Sequence, residues 1–321
     1  MMPGGQIESS VFVVAGARQF SLGAELVDQL ANLAPLSTIL AIDLEPLNPS
    51  AENVLVRRFN LNPFDEQRGF QAWSAELHEM LHLPKRSDSS QRPVRALFLG
   101  AGKYQVGRYE CSTAEERAAV LGCNVAGKWE VLHAVMRLNA DLGFDNAQEL
   151  DIFDVGSFHA VRHSSYRALY NPTKAAGLEL CRVLLSGSEV RRAVHLAPGP
   201  IDTPMLHWNH WVLKEHGDPG FLTLVKDRCP SLYRSVFREG DWAALAAAQR
   251  ELRFEDETVR DVFGRYVHRR AVLAQTEEGI TSPEIFAEYI ANQMLGARTG
   301  ESSIVEVSSP HGHFRVSNRA F

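Results

Sequence analysis

The stretch SFHAVRHSSYRALYNPTK (157–174) ends in YNPTK, which sets Tyr170 and Lys174 four positions apart. On a helix that spacing puts both side chains on one face, a turn apart. An ammonium beside a phenol favours the phenolate, so the pair could serve as a proton carrier; on its own it could equally be an ordinary helix surface. With seven tyrosines and six lysines in 321 residues, chance supplies such a pair in roughly one of eight chains of this composition. The decision therefore rests on its company. Ser157 lies 13 residues before Tyr170, CNVAG (123–127) stands in a long helical pattern upstream, and APGPIDTP (197–204) follows downstream.

These residues need a frame. Short, continuous apolar runs recur: VFVVAG (11–16), STILAID (37–43), NVLVRRF (53–59), ALFLGAG (96–102), LDIFDVG (150–156), RRAVHLAPG (191–199) and SSIVEV (302–307). Continuous rather than alternating apolarity predicts strands covered on both faces. Helical periodicity fills the intervals, in GAELVDQLANL, AEERAAVLGCNVAGKWEVLHAVMRL and PTKAAGLELCRVLL. The expected fold is α/β, a doubly wound parallel sheet of Rossmann type, with ligands bound beyond the carboxyl ends of the strands. The rhythm fails between Met205 and about Gln275, so 205–275 reads as a helical insertion over the carboxyl edge within a single domain spanning 1–321.

A glycine turn, AGARQFSLGAEL (15–26), follows the first strand. Glycine there lets the backbone approach a pyrophosphate at the positive end of the next helix. Gly16 and Gly23 are present, while Phe20 and Leu22 stand where further glycines are expected, so a plain strand-to-helix turn stays open. Asp43 ends the second strand, where a carboxylate accepts ribose hydroxyls and repels a 2′-phosphate. That favours NAD; Arg18 in the glycine loop leaves NADP open, since a guanidinium pairs with such a phosphate. GAGK (100–103) is no phosphate loop, because Leu97 and Tyr104 occupy the positions that need Gly and Ser or Thr.

Taken together, the strand-end Ser157, Tyr170 with Lys174, Asn124 with Gly127, and Pro198-Gly199 with Thr203 resemble the short-chain dehydrogenase/reductase family. The resemblance covers about residues 10–205 and resumes at 275–310. It implies that Tyr170 is the general acid/base and that Lys174 tunes it while binding the nicotinamide ribose. It implies further that Ser157 holds the substrate oxygen, that Asn124 is the relay residue, and that Thr203 holds the carboxamide. The cofactor would lie along Gly16, Arg18, Phe20, Ser21, Leu22 and Gly23, then Asp43, Asn60 and Leu61, then Gly100, Ala101 and Gly102. It would end at Tyr170, Lys174, Pro198, Gly199, Ile201 and Thr203. Dimers or tetramers built on the long helices are also implied.

The chain departs from that pattern at the cofactor end. Ala15 replaces the usual Thr, Phe20 a Gly, GAG (100–102) the usual NAG, and Asn60 the usual Asp, though its amide oxygen still accepts a hydrogen bond. A tyrosine–lysine spacing of seven, as in enoyl reductases, is excluded because Arg167 occupies that place. The expected activity is interconversion of a secondary alcohol and a ketone. Two alternatives stand beside it: a nucleotide-binding regulatory or scaffold protein without turnover, and a sugar-nucleotide epimerase or dehydratase, which PGPIDTP fits poorly.

Within 205–275, HWNHW (207–211), Phe221, Tyr233, Phe237 and Trp242 are interleaved with Arg228, Arg234, Arg238, Arg250, Arg253, Arg260 and Arg265. A lid over a bulky or aromatic substrate and a packed helical subdomain both suit that composition. His207 with His210, and HGH (311–313), lack further ligands at metal spacing, so no metal is expected. A net charge of −6 without a basic run argues against nucleic acid. No apolar stretch reaches the roughly 20 residues of a membrane span, and the N-terminus lacks a signal-peptide pattern. Cys111, Cys123, Cys181 and Cys229 form no CxxC pair, which points to reduced thiols and a cytoplasmic location.

Overall fold

The computed structural model describes residues 10–18, 21–44, 47, 51–64, 69–82, 92–104, 109, 112–157, 160, 167–199, 201, 203, 227, 230–234, 282–296, 303–307 and 315–317. The expected apolar runs form strands β1 (Val11–Ala15), β2 (Thr38–Asp43), β3 (Val54–Arg58), β4 (Val94–Leu99), β5 (Asp151–Val155), β6 (Arg192–Pro198) and β7 (Ser303–Val307). They pair in the order β3-β2-β1-β4-β5-β6-β7, all parallel. A short strand β8 (Arg315–Ser317), which the sequence patterning did not reveal, adds antiparallel to β7. The order reverses between β1 and β4, and a crevice at such a switch point is where ligands of doubly wound sheets bind.

The central strands β1, β2, β4, β5 and β6 are buried at nearly every position, which is why they read as nearly unbroken apolar runs. Val11, Val13 and Ala15 face one layer, with Trp73, Val131, Val135 and Cys181. Phe12 and Val14 face the other, with Leu26, Leu30, Phe286 and Ile290. The first layer is built by α2 (Phe70–Leu81), α4 (Gly127–Asp141) and α6 (Tyr170–Ser186), the second by α1 (Leu22–Leu33) and α8 (Pro283–Leu295). Each fully buried Leu or Phe contributes about 1.5–3 kcal/mol over an exposed one. Trp73 is fully buried, packs on Phe59 and donates its indole N–H to the Asn60 carbonyl at 2.7 Å.

The segment 114–138, which the periodicity predicts as one helix, is divided. A helix α3 (Ala114–Leu121) passes through a π-helical turn (Gly122–Ala126) into α4. The helix is pressed against the chain leaving β3: a Cβ at residue 127 would stand 1.9 Å from the Leu61 carbonyl, and one at 122 would stand 1.7 Å from Asn62 Oδ1. Glycine permits this approach, and the wider π turn carries Asn124 inward, 2% exposed. π turns of this kind occur often at functional sites.

A short α5 (Asn146–Glu149) precedes β5, and α7 (Pro230–Tyr233) is the described helix within 205–275. The proposed lid, with His207, His210, Phe221, Phe237 and Trp242, lies otherwise outside the described residues, as do Phe20, Cys111, Cys229 and HGH (311–313). Among the described residues, no helix is long and apolar enough to cross a membrane.

Candidate active site

The site assembles at the carboxyl ends of the strands, beginning with the glycine turn. Gly16 has φ +94°, a left-handed conformation that favours glycine, and its N–H donates to the Ile42 carbonyl at 2.8 Å. Ser21 caps α1 by accepting the Ala24 N–H at 3.2 Å. A Cβ at Gly23 would fall 2.2 Å from the Gly16 carbonyl oxygen, so α1 starts hard against the end of β1. The first-turn amides, those of Leu22 and Gly23 among them, have no helical carbonyl to bond, the arrangement that receives an anion at a helix N-terminus. This cradle fits a dinucleotide phosphate. Arg18 is partly buried in the turn, and Asp43, partly buried, closes β2.

Asn60 is placed less freely than its type suggests. Its Oδ1 already accepts the Asn62 N–H at 3.0 Å, leaving one lone pair, while Leu61 is buried beside it. Gly100 and Ala101 turn over the end of β1, both donating their N–H to the Ala15 carbonyl, at 2.8 and 3.0 Å. Gly102 faces Asn124 and Lys174: a Cβ there would lie 3.4 Å from Asn124 Oδ1 and 3.4 Å from Lys174 Nζ. Pro198 ends β6, and Gly199, Ile201 and Thr203 follow, with the Thr203 hydroxyl 3.4 Å from the Ile201 carbonyl.

The residues expected to transfer a proton converge. Tyr170 opens α6 and Lys174 stands one turn on, its Nζ 5.4 Å from the phenol ring centroid. Pro172 falls in the first turn of α6, where a missing N–H costs little. Ser157 is buried just beyond β5, and its hydroxyl bonds the Tyr170 phenol. Lys174 Nζ donates to the Val155 carbonyl at 2.8 Å. Asn124 binds the chain after β4 on both sides. It accepts the Lys103 N–H at 2.6 Å and donates to the Lys103 carbonyl at 2.9 Å, with a further bond to Thr173 Oγ1 at 2.9 Å.

The electrostatics add to the expectation that Lys174 tunes the phenol. Burial pushes Tyr170 up; the ammonium that chiefly opposes this is Lys128, aided by the Ser157 hydrogen bond and Arg167. Burial also pulls Lys174 below its ordinary value, with Asp154 opposing. Sequence reasoning missed Lys128, Asp154 and His195, a buried group under the tyrosine. Tyr104 was noticed only for what it is not. Its ring lies 4.6 Å from that of Tyr170, with Arg167 5.5 Å from its own centroid, and burial pushes its phenol well up.

The fold is Rossmann-type α/β, with Tyr170, Lys174, Ser157 and Asn124 brought to the carboxyl ends of its strands. No protein-family model and no curated protein matches the sequence. Solved structures similar in fold include short-chain dehydrogenases/reductases, and this chain has their fold. One is a short chain dehydrogenase family protein from Francisella tularensis, 15% identical, covering 93% of this chain and 97% of that one at a TM-score of 0.58. Another is the aldohexose dehydrogenase of Thermoplasma acidophilum, 14% identical over 94% and 93% of the two chains, TM-score 0.58. A third is actinorhodin polyketide ketoreductase, solved with NADPH, 16% identical over 96% and 98%, TM-score 0.57.

Proposed function

We propose that this protein is an NAD(P)-dependent oxidoreductase that interconverts a secondary alcohol and a ketone, with Tyr170 as general acid/base. The observation that carries the reading is the convergence of Tyr170, Lys174, Ser157 and Asn124, drawn from three separate segments, at the carboxyl edge beside the dinucleotide cradle. Bound nicotinamide would supply hydride transfer. Gly16, Ser21, Leu22 and Gly23 would hold its pyrophosphate, Asp43 and Arg18 would decide between NAD and NADP, and Asn60 and Leu61 would flank the adenine. Gly100, Ala101, Gly102, Pro198, Gly199, Ile201 and Thr203 would line the rest.

Within this frame Ser157 holds the substrate oxygen, and the Tyr170 hydroxyl gives it a proton in reduction or removes one in oxidation. Asn124 anchors the strand end opposite Lys174. The expected homodimer or homotetramer is supported by the exposed Trp129 and Val183 on α4 and α6. A cytoplasmic location and a substrate lid at 205–275 complete the proposal. A second reading, nucleotide binding without turnover, is favoured by one observation: burial pushes the Tyr170 phenol up, away from neutral pH.

The deciding experiment follows nicotinamide absorbance with NAD(H) and NADP(H) against a panel of secondary alcohols and ketones, beside calorimetric cofactor titration. Wild-type protein is expected to turn over a member of the panel, and Tyr170→Phe to lose about 10²–10⁴-fold in rate while binding cofactor as before. Cofactor binding with a fully active Tyr170→Phe enzyme would refute the assignment.

A further inference from the structure

Beneath Tyr170 and Lys174 lies a group of charges that proton transfer as described does not use. Lys128, in the first turn of α4, is 4% exposed. Its Nζ donates to Asp154 Oδ1 at 2.7 Å and to the Val155 carbonyl at 3.1 Å. The same carbonyl accepts Lys174 Nζ at 2.8 Å, so two ammoniums share one oxygen. On the other side Asp154 Oδ2 lies 2.9 Å from His195 Nδ1; an ionised carboxylate only accepts, which places a proton on that nitrogen.

The chain makes room for this group. A Cβ at Gly177 would stand 2.4 Å from Asp154 Oδ2, and one at Gly156 would stand 2.0 Å from His195 Nε2. Buried ion pairs add little stability over apolar residues of like volume, so stability alone gives no reason for burying Lys128 here. The groups facing it are Asp154 from β5, His195 from β6, and Tyr170, Lys174 and Cys181 from α6. Burial pushes the Cys181 thiol well up, which leaves it neutral.

We propose that Lys128 is a positioning residue for the Tyr170–Lys174 pair: its ammonium supplies the positive potential beneath the phenol, and its hold on the Val155 carbonyl fixes where Lys174 stands. The inference rests on the alcohol–ketone reading above. Its support is electrostatic as well as geometric. Among the charges opposing the rise of the Tyr170 phenol with burial, Lys128 acts most strongly. Burial lowers Lys128 itself to about 8, against the pull of Asp154. Asp154 therefore keeps Lys128 charged at neutral pH, and His195 holds Asp154 in place.

The test compares wild-type protein with Lys128→Met and with the double variant Lys128→Met/Asp154→Asn, which removes the buried pair as a unit and guards against loss of folding. Cyclohexanol and 1-phenylethanol with NAD⁺ and NADP⁺ serve as probes. Lys128→Met is expected to lose about tenfold in kcat at neutral pH, with the pH profile of kcat moved up by about one unit, and the double variant to lose less, because Asp154 raises the phenol that Lys128 lowers; the KM for cofactor stays within about threefold in both. A second readout needs no turnover: the near-UV absorbance of the Tyr170 phenol, taken as the difference from the same protein carrying Tyr170→Phe. In wild-type protein this band is expected to shift as pH rises through about 8, where Lys128 loses its charge, and in neither variant. A band that stays in place through that range in wild-type protein, or that shifts equally in both variants, would overturn the inference. Failure of wild-type protein to turn over either alcohol with either cofactor would count against the functional reading, and the phenol band would still decide the role of Lys128.

Discussion

Asp151 offers a test of the electrostatics at the opposite end of the sheet, away from the candidate site. Its carboxylate, 1% exposed, receives Arg191 Nε and Nη2, both at 2.7 Å, and Arg192 Nη2 at 2.7 Å. The two cations differ in surroundings. Arg191 is 27% exposed, whereas Arg192 is 5% exposed, lies 5.0 Å over the Phe153 ring and donates to the Gln293 carbonyl at 2.6 Å. In Asp151→Ala, Arg191 can turn to water but Arg192 keeps a buried charge without its anion. Removing one partner of a buried pair costs about 3–5 kcal/mol, a large fraction of the roughly 5–15 kcal/mol that stabilises a folded domain. For a chain of this size, each kcal/mol moves the melting temperature by about 2–4 °C, so a fall of about 6–20 °C is expected in a thermal melt, with a matching drop in the urea midpoint. Arg191→Ala, which removes the more exposed partner, is expected to cost about 1 kcal/mol. Equal losses in the two variants, or a fall under about 3 °C in Asp151→Ala, would refute the view that an uncompensated Arg192 is what costs stability.

Two further outcomes follow from the site. Gly23→Ala places a methyl 2.2 Å from the Gly16 carbonyl; α1 must retreat from the end of β1, and calorimetry should find cofactor affinity down by about tenfold or more (about 1.4 kcal/mol) in a chain with a native circular dichroism spectrum. Burial alone would raise Asp154, but Lys128 and the His195 hydrogen bond outweigh it and hold the carboxyl below its ordinary value of 3.8. A carboxyl depressed on folding adds stability that is present above its unfolded value and lost as pH falls through the folded one. Urea unfolding from neutral pH down through that range should therefore show a steeper acid loss in wild-type protein than in Asp154→Asn.

What the sequence determined by itself was local. Strands covered on both faces are apolar at most positions, so the seven parallel strands stood out as apolar runs, and with them the fold class. Tyr170 and Lys174 are bound by helix periodicity, and a four-residue spacing fixes their shared face whatever lies around them. The long pattern from 114 to 138 was read correctly as helix, but its π turn depends on how closely Gly122 and Gly127 meet the chain leaving β3. Strand β8, three residues long, is defined by pairing and carries no pattern of its own.

The charges under the tyrosine belong to tertiary structure alone. In sequence Lys128 reads as a solvated helix residue, Asp154 as an interruption of an apolar strand, and His195 as another. Only the β5–β6 register, which sets Asp154 beside His195, and the packing of α4 across β5 bring three distant residues within hydrogen-bond reach. Hydrogen bonding and Coulomb attraction fall off over a few ångströms, and no spacing along a chain encodes such a distance between elements that pack from different segments.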